Sequence, residues 1–114
     1  MSFSWVKFIE LANFLHLHNT EEGFRTALSR AYYGVFCLIR NYKGLKTYTK
    51  SDVHTIFKEL LKNSKNPKER EIGQLLDDLR KERNRADCDE ETKITKEISE
   101  LCILKAKKIL EMMK

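Results

Sequence analysis

Residues 31–39 read AYYGVFCLI, a run that is apolar on almost every side. Its surroundings set the period. Phe24, Ala27, Leu28, Ala31, Val35, Leu38, Ile39 and Tyr42 recur at steps of three and four, as on one face of a helix, and Tyr32, Phe36 and Cys37 widen that face. Thr20 is suited to cap the helix, with Glu21 and Glu22 in its first turn and Gly44 marking its end beyond Asn41. A helix apolar all round belongs at the centre of a bundle or at a subunit interface. Gly34 inside it costs about 1 kcal/mol against alanine, which predicts close approach of another backbone or of the Arg83 side chain.

Working outward, the same periodicity predicts four more helices. The first spans about Trp5 to Leu17, with Trp5, Phe8, Ile9, Ala12 and Leu15 on one stripe. Ser51 opens the third, whose inward face is Val53, Ile56, Phe57, Leu60 and Leu61. The run NPKE opens the fourth, with Asn66 as cap, Pro67 at the first position and Glu69 reaching back; that helix runs to about Ala86. After the polar break DCDEET, a last helix covers about Thr92 to Met112, with Ile94, Ile98, Leu101, Cys102, Ala106, Ile109 and Met113 inward. Four Gly and one Pro in 114 residues suit an all-α chain. Short connections predict an antiparallel four- to five-helix up-and-down bundle, a single domain over residues 1–114.

Net charge is +5, which permits contact with nucleic acid without establishing it. Cys37, Cys88 and Cys102 are odd in number and far apart, so reduced thiols are expected, two of them in the core. Neither they nor His16, His18 and His54 show metal-ligand spacing, and no metal or other cofactor is predicted. No apolar run approaches a membrane span and no secretory signal is visible, so a cytoplasmic protein without membrane contact is expected. There is no phosphate-binding Gly-rich loop with its Lys, and no H-E-x-x-H.

The segment LRKERNRADC, residues 79–88, holds the candidate site. The inward stripe of its helix is Ile72, Leu75, Leu76 and Leu79, and steps of four and seven from Leu79 reach Arg83 and Ala86. Arg80, Asn84 and Asp87 share a flanking face, and Lys81 and Arg85 have acids at helical spacing. An inward guanidinium must meet an acid, a ligand or a water-filled groove, unless the helix is already leaving the core and Arg83 snorkels to solvent. Arg30, near Tyr33 at the edge of the second helix, either pairs with Glu22 or another acid, or lines one groove with Arg83 and binds phosphate.

Together, SRAYYGVF (residues 29–36), His54 opening the next helix, and LRKERNRADCD (residues 79–89) resemble the HEPN domain family, in the branch with S-R-x-Y-Y and R-N-x-A-D motifs. The resemblance covers nearly the whole chain. It implies a small helical bundle of a prokaryotic toxin–antitoxin or defence system, a homodimer with both motif copies around a shared cleft, and a minimal nucleotidyltransferase as partner protein. Many members are metal-independent ribonucleases, and their pattern carries over onto Arg83 as phosphate holder and Asn84 as orienting group. This chain departs from the pattern where the family's His is expected: Cys88 stands there, and Glu90 stands where a Tyr is expected. A thiol is a poor substitute for imidazole in moving protons at neutral pH. His54 could supply the missing group, and Asp87 could act as base or pair with Arg30 or Arg83. The expected function is binding of RNA or nucleotide phosphate around Arg83, with Arg30, Tyr33, Arg80, Asp87 and His54 lining the cleft. The alternatives are an active metal-independent endoribonuclease and a purely structural dimeric module.

Overall fold

The computed structural model describes residues 3–44 and 61–114. Among these, four helices follow one another: α1 (Val6–His16), α2 (Glu21–Tyr42), α3 (Pro67–Cys88) and α4 (Lys96–Met112). The fold is all-α. The segment expected as a helix from Ser51 onward, with Val53, Ile56, Phe57, Leu60 and His54, lies outside the described residues apart from its end at Leu61.

Neighbouring helices run antiparallel, as the side chains joining them record. Gly34 of α2 lies against Trp5 and Ile9 at the start of α1, and Gly23 against Leu15 near its end. Lys43 Nζ meets Glu69 across α2 and α3, while Arg25 reaches Ala86 at their other ends. Lys108 pairs with Glu71 and Lys105 with Asp78, which sets α4 antiparallel to α3.

The apolar excess of α2 is consumed inside the bundle. Ala27, Leu28, Ala31, Tyr32 and Val35 are fully buried, and α2 packs against α1, α3 and α4 alike. It is therefore the central helix, and its composition needs no second subunit to cover it. Gly34 is explained by α1: a Cβ there would sit 2.9 Å from Ile9 Cγ1 and 3.2 Å from the Trp5 carbonyl oxygen. The neighbour it admits is α1 and its backbone, not the Arg83 side chain. At the opposite end of α1 a buried polar pair joins it to α4, with His16 Nδ1 and Ser99 Oγ 2.8 Å apart.

Thr20 and Asn66 cap α2 and α3 by accepting from the Gly23 and Lys68 amides. Other expectations are corrected. Glu69 does not reach back to the Asn66 amide: its carboxylate binds Lys43 and Ser64 Oγ, and Ser64 Oγ accepts from the Asn66 amide in its place. The last helix begins at Lys96 behind a Thr95 cap rather than at Thr92. Thr92 instead donates its hydroxyl to Asp89, whose carboxylate also accepts from the Glu91 amide, so 89–92 is a turn closed by side chains. Tyr42 and Leu101, expected inward, are 63% and 53% exposed. Tyr42 is the last residue of its helix, and in α4 the inward positions fall to Ser99, Cys102, Ile103, Ala106 and Ile109.

Cys37 and Cys102 are buried and Cys88 is exposed; all are free thiols. Burial pushes the Cys102 thiol up to about 12. Among the described residues, no helix is long and apolar enough to cross a membrane, and no group of His, Cys, Asp and Glu is arranged to hold a metal.

Candidate functional site

The end of α3 is fixed by a residue of α2. The Arg25 guanidinium donates to the carbonyls of Arg85 at 3.3 Å, Ala86 at 2.8 Å and Asp89 at 3.2 Å, and also to that of Thr92. Carbonyls in the last turn of a helix lack intrahelical donors, and the helix dipole favours a cation there, so one arginine answers both needs. Glu21 completes the joint by accepting from Arg25 at 3.0 Å and from the Ile94 amide at 3.2 Å. Those two bonds, the Ile94 amide first, hold the Glu21 carboxyl below the usual carboxylate range.

The clamped segment carries Arg83 and Asp87 towards α2. Arg83 enters a slot between tyrosines: its guanidinium carbon lies 4.8 Å from the Tyr32 ring centre and 5.2 Å from that of Tyr33. Nη1 donates to the Tyr33 hydroxyl at 3.2 Å, and Asp87 Oδ2 stands 4.0 Å away on the same helix face. The side chain is 16% exposed, so Arg83 neither escapes to bulk water nor enters a dry core. Burial pushes the Tyr32 hydroxyl well above the usual phenol range, with the Arg83 and Arg80 charges pulling the other way.

Arg30 reaches the same place from α2. Its guanidinium carbon is 5.1 Å from the Phe8 ring centre and 5.5 Å from that of Tyr33. Nη2 donates to Ser29 Oγ at 3.3 Å rather than to Glu22, and Ser29 Oγ is 3.5 Å from Asp87 Oδ2, at the outer edge of a hydrogen bond. Tyr33 is thus a shared platform for both arginines. Each arginine also keeps a buried Nε without an acceptor.

Arg30, Tyr33, Arg83 and Asp87 are thereby brought together, with Ser29, Tyr32 and Phe8 added by the structure. Arg80 turns to another group, donating to Asp77 Oδ1 at 3.2 Å. Asn84 and Cys88 are exposed on α3, Glu90 is exposed just beyond it, and His54 lies outside the described residues. Lys81 and Arg85 take the helical-spacing acids expected of them, Asp77 at 3.4 Å and Glu82 at 2.9 Å. Ser29 and Tyr32 sat within the quoted SRAYYGVF, but nothing in spacing distinguished them from core. Arg25 carried one local signal, its four-residue offset from Glu21; its carbonyl partners, some sixty residues away, left none.

Chemically, among the described residues two guanidiniums are set against one carboxylate, which gives the cluster surplus positive charge and unused N–H donors. That combination suits a phosphate, whose oxygens accept from guanidinium forks.

The sequence model of the family described as HEPN domain matches residues 8–114. No curated protein and no solved structure matches the chain.

Proposed function

The chain belongs to the HEPN domain family, and from that premise we propose that it binds a phosphate group of RNA or of a nucleotide between Arg30 and Arg83. The observation that supports this most directly is the pair of buried Nε groups without acceptors, on two arginines that share the Tyr33 platform and a single nearby carboxylate. A buried donor left unmade costs about 1–3 kcal/mol, so a ligand oxygen that satisfied it would gain more than an ordinary surface contact. The tyrosine rings hold the guanidiniums in place before the ligand arrives, which lowers the ordering cost of binding. Asp87 keeps Arg83 aligned at 4.0 Å and yields part of that contact to an incoming phosphate.

In this reading the protein works in a toxin–antitoxin-type system, beside a minimal nucleotidyltransferase and as a homodimer. The exposed Leu11 and Phe14 of α1, with Leu17 just beyond its end, form an apolar strip that a second copy would cover. Binding is placed ahead of RNA cleavage because Asp87, the carboxylate nearest Arg83, is already engaged with Arg83 and Ser29, and a thiol occupies position 88.

The test is incubation of end-labelled RNA with the protein in EDTA, beside Arg83→Ala, with bound and cleaved fractions separated on gels. Binding without cleavage, weakened at least about tenfold by the substitution (about 1.4 kcal/mol), is the expected result. Cleavage by the unsubstituted protein alone would make it a metal-independent endoribonuclease, with Asp87 and His54 the next residues to replace. Equal behaviour of both proteins would overturn the reading and leave Arg83 a structural residue.

A further inference from the structure

One turn before Arg83, α3 carries a second concentration of positive charge that the site above does not use. Asp77 is buried, its side chain 3% exposed, and among the described residues three cations converge on it. Lys62 Nζ is 3.0 Å from Oδ2, Arg80 Nη2 is 3.2 Å from Oδ1, and Lys81 Nζ is 3.4 Å from Oδ2. One carboxylate balances one of these charges, which leaves two in surplus among the described residues. The next acids along the helix are turned to other partners: Asp78 to Lys105 and Gln74, Glu82 to Arg85. The cations stay accessible, at 32% for Lys62, 30% for Arg80 and 62% for Lys81. A buried carboxylate that tethers exposed cations fixes their heads in one place without neutralising them as a group.

The two clusters are neighbours. Arg80 and Arg83 stand three residues apart on one helix, where side chains are separated by roughly 5–6 Å at Cβ. Both act on the same Tyr32 hydroxyl. Anionic groups repeated at short intervals along a chain are what such a row of cations fits, and a lone phosphate would leave the second cluster idle.

We propose that Lys62, Arg80 and Lys81 form a second phosphate subsite beside Arg83, so that this face takes a single-stranded polynucleotide across successive phosphates rather than a mononucleotide. The proposal rests on Arg83 being a phosphate holder, and the experiment separates the two. Binding of uridine monophosphate and of a short oligouridylate is measured over a salt series for the full chain, Lys62→Gln/Lys81→Gln, Lys81→Gln alone, and Arg83→Ala. The strand should bind more tightly than the monophosphate and with a steeper salt dependence, since each phosphate neutralised adds about 0.7 to the slope for single strands. The double substitution should lower that slope by about 0.7 and weaken the strand roughly tenfold, with monophosphate binding unchanged. Lys81→Gln, at a side chain 62% exposed, keeps the fold and should give about half the effect.

An unchanged slope in both lysine variants would overturn the subsite, as would competition by polyglutamate equal to that of the strand. If the lysine variants weaken the strand while Arg83→Ala leaves monophosphate binding intact, the subsite stands and the reading of Arg83 falls.

Discussion

Arg83 and Tyr33 touch in two ways: Nη1 donates to the tyrosine hydroxyl at 3.2 Å, and the guanidinium carbon stands 5.2 Å from the centre of the same ring. The two contacts can be separated. Tyr33→Phe keeps the ring face and removes the hydroxyl, so phosphate affinity should fall only about two- to fivefold, near the net worth of one hydrogen bond. Tyr33→Leu removes the platform for Arg30 as well and should cost roughly tenfold or more. Titration calorimetry with uridine monophosphate on both variants checks the order; a larger loss in Tyr33→Phe would contradict it.

Arg25 holds the end of α3 to α2 and to the turn that follows it, so its loss should damage the fold. Arg25→Met keeps the stem and deletes the donors to the carbonyls of Arg85, Ala86, Asp89 and Thr92. Charged hydrogen bonds of this kind contribute about 1.5–3 kcal/mol, so urea unfolding should report a loss of about 2–3 kcal/mol. Arg25→Lys cannot fork between those acceptors and should recover less than half of it.

Gly34→Ala tests the seam between α1 and α2. The new methyl would lie 2.9 Å from Ile9 Cγ1 and 3.2 Å from the Trp5 carbonyl oxygen. Helix propensity would favour alanine by about 1 kcal/mol. Overpacking of this kind costs typically about 1–3 kcal/mol, so a net destabilisation is expected by thermal melting. A stabilised variant would show that α1 can move aside freely.

Glu69 gives the pH dependence a named contributor. Its bonds to Lys43 first, and then to Ser64, hold its carboxyl below the ordinary value of 4.5. A depressed folded value means the contribution is complete above 4.5 and is lost as pH falls through the folded value. Glu21 and Asp89 are lowered too, so the melting temperature should begin to drop below about pH 4.5. Glu69→Gln should melt lower at pH 7 and show a shallower drop under acid; an identical acid profile would remove Glu69 from the account.

Thiol labelling reads burial directly. Cys88 is exposed while Cys37 and Cys102 are buried, so one equivalent should react in the folded protein and three in denaturant. The substitution Cys88→Ser should abolish the fast phase.

What the chain's letters disclose depends on whether a residue's partner is near it in sequence. The centre of α2 was legible because burial on all sides leaves a visible apolar run, and Thr20 and Asn66 because a cap acts within three residues. Arg83 is legible as an anomaly, an arginine on an apolar stripe, and Tyr33 as a cleft residue, but the slot itself is not: Tyr32, its other wall, reads as part of the widened apolar face of α2. Spacing places Arg80 on a face flanking that of Arg83 but does not take it out of the cleft; what does so is Asp77, a buried acid that any helical-wheel reading counts as surface. Thr92 looked like helix because nothing local announced that Asp89 would hold it in a turn.

The contact between Ser29 and Asp87 joins residues 58 positions apart. A binding cluster composed across such a separation does not exist in the unfolded chain, so any phosphate ligand is held by the native state alone. Ligand occupancy and folding are then one equilibrium: at a hundred times its dissociation constant a ligand adds about 2.7 kcal/mol to stability. On the proposed function, the cellular lifetime of this protein would rise and fall with the supply of its phosphate ligand, and a rise in melting temperature becomes a way to find that ligand among candidates.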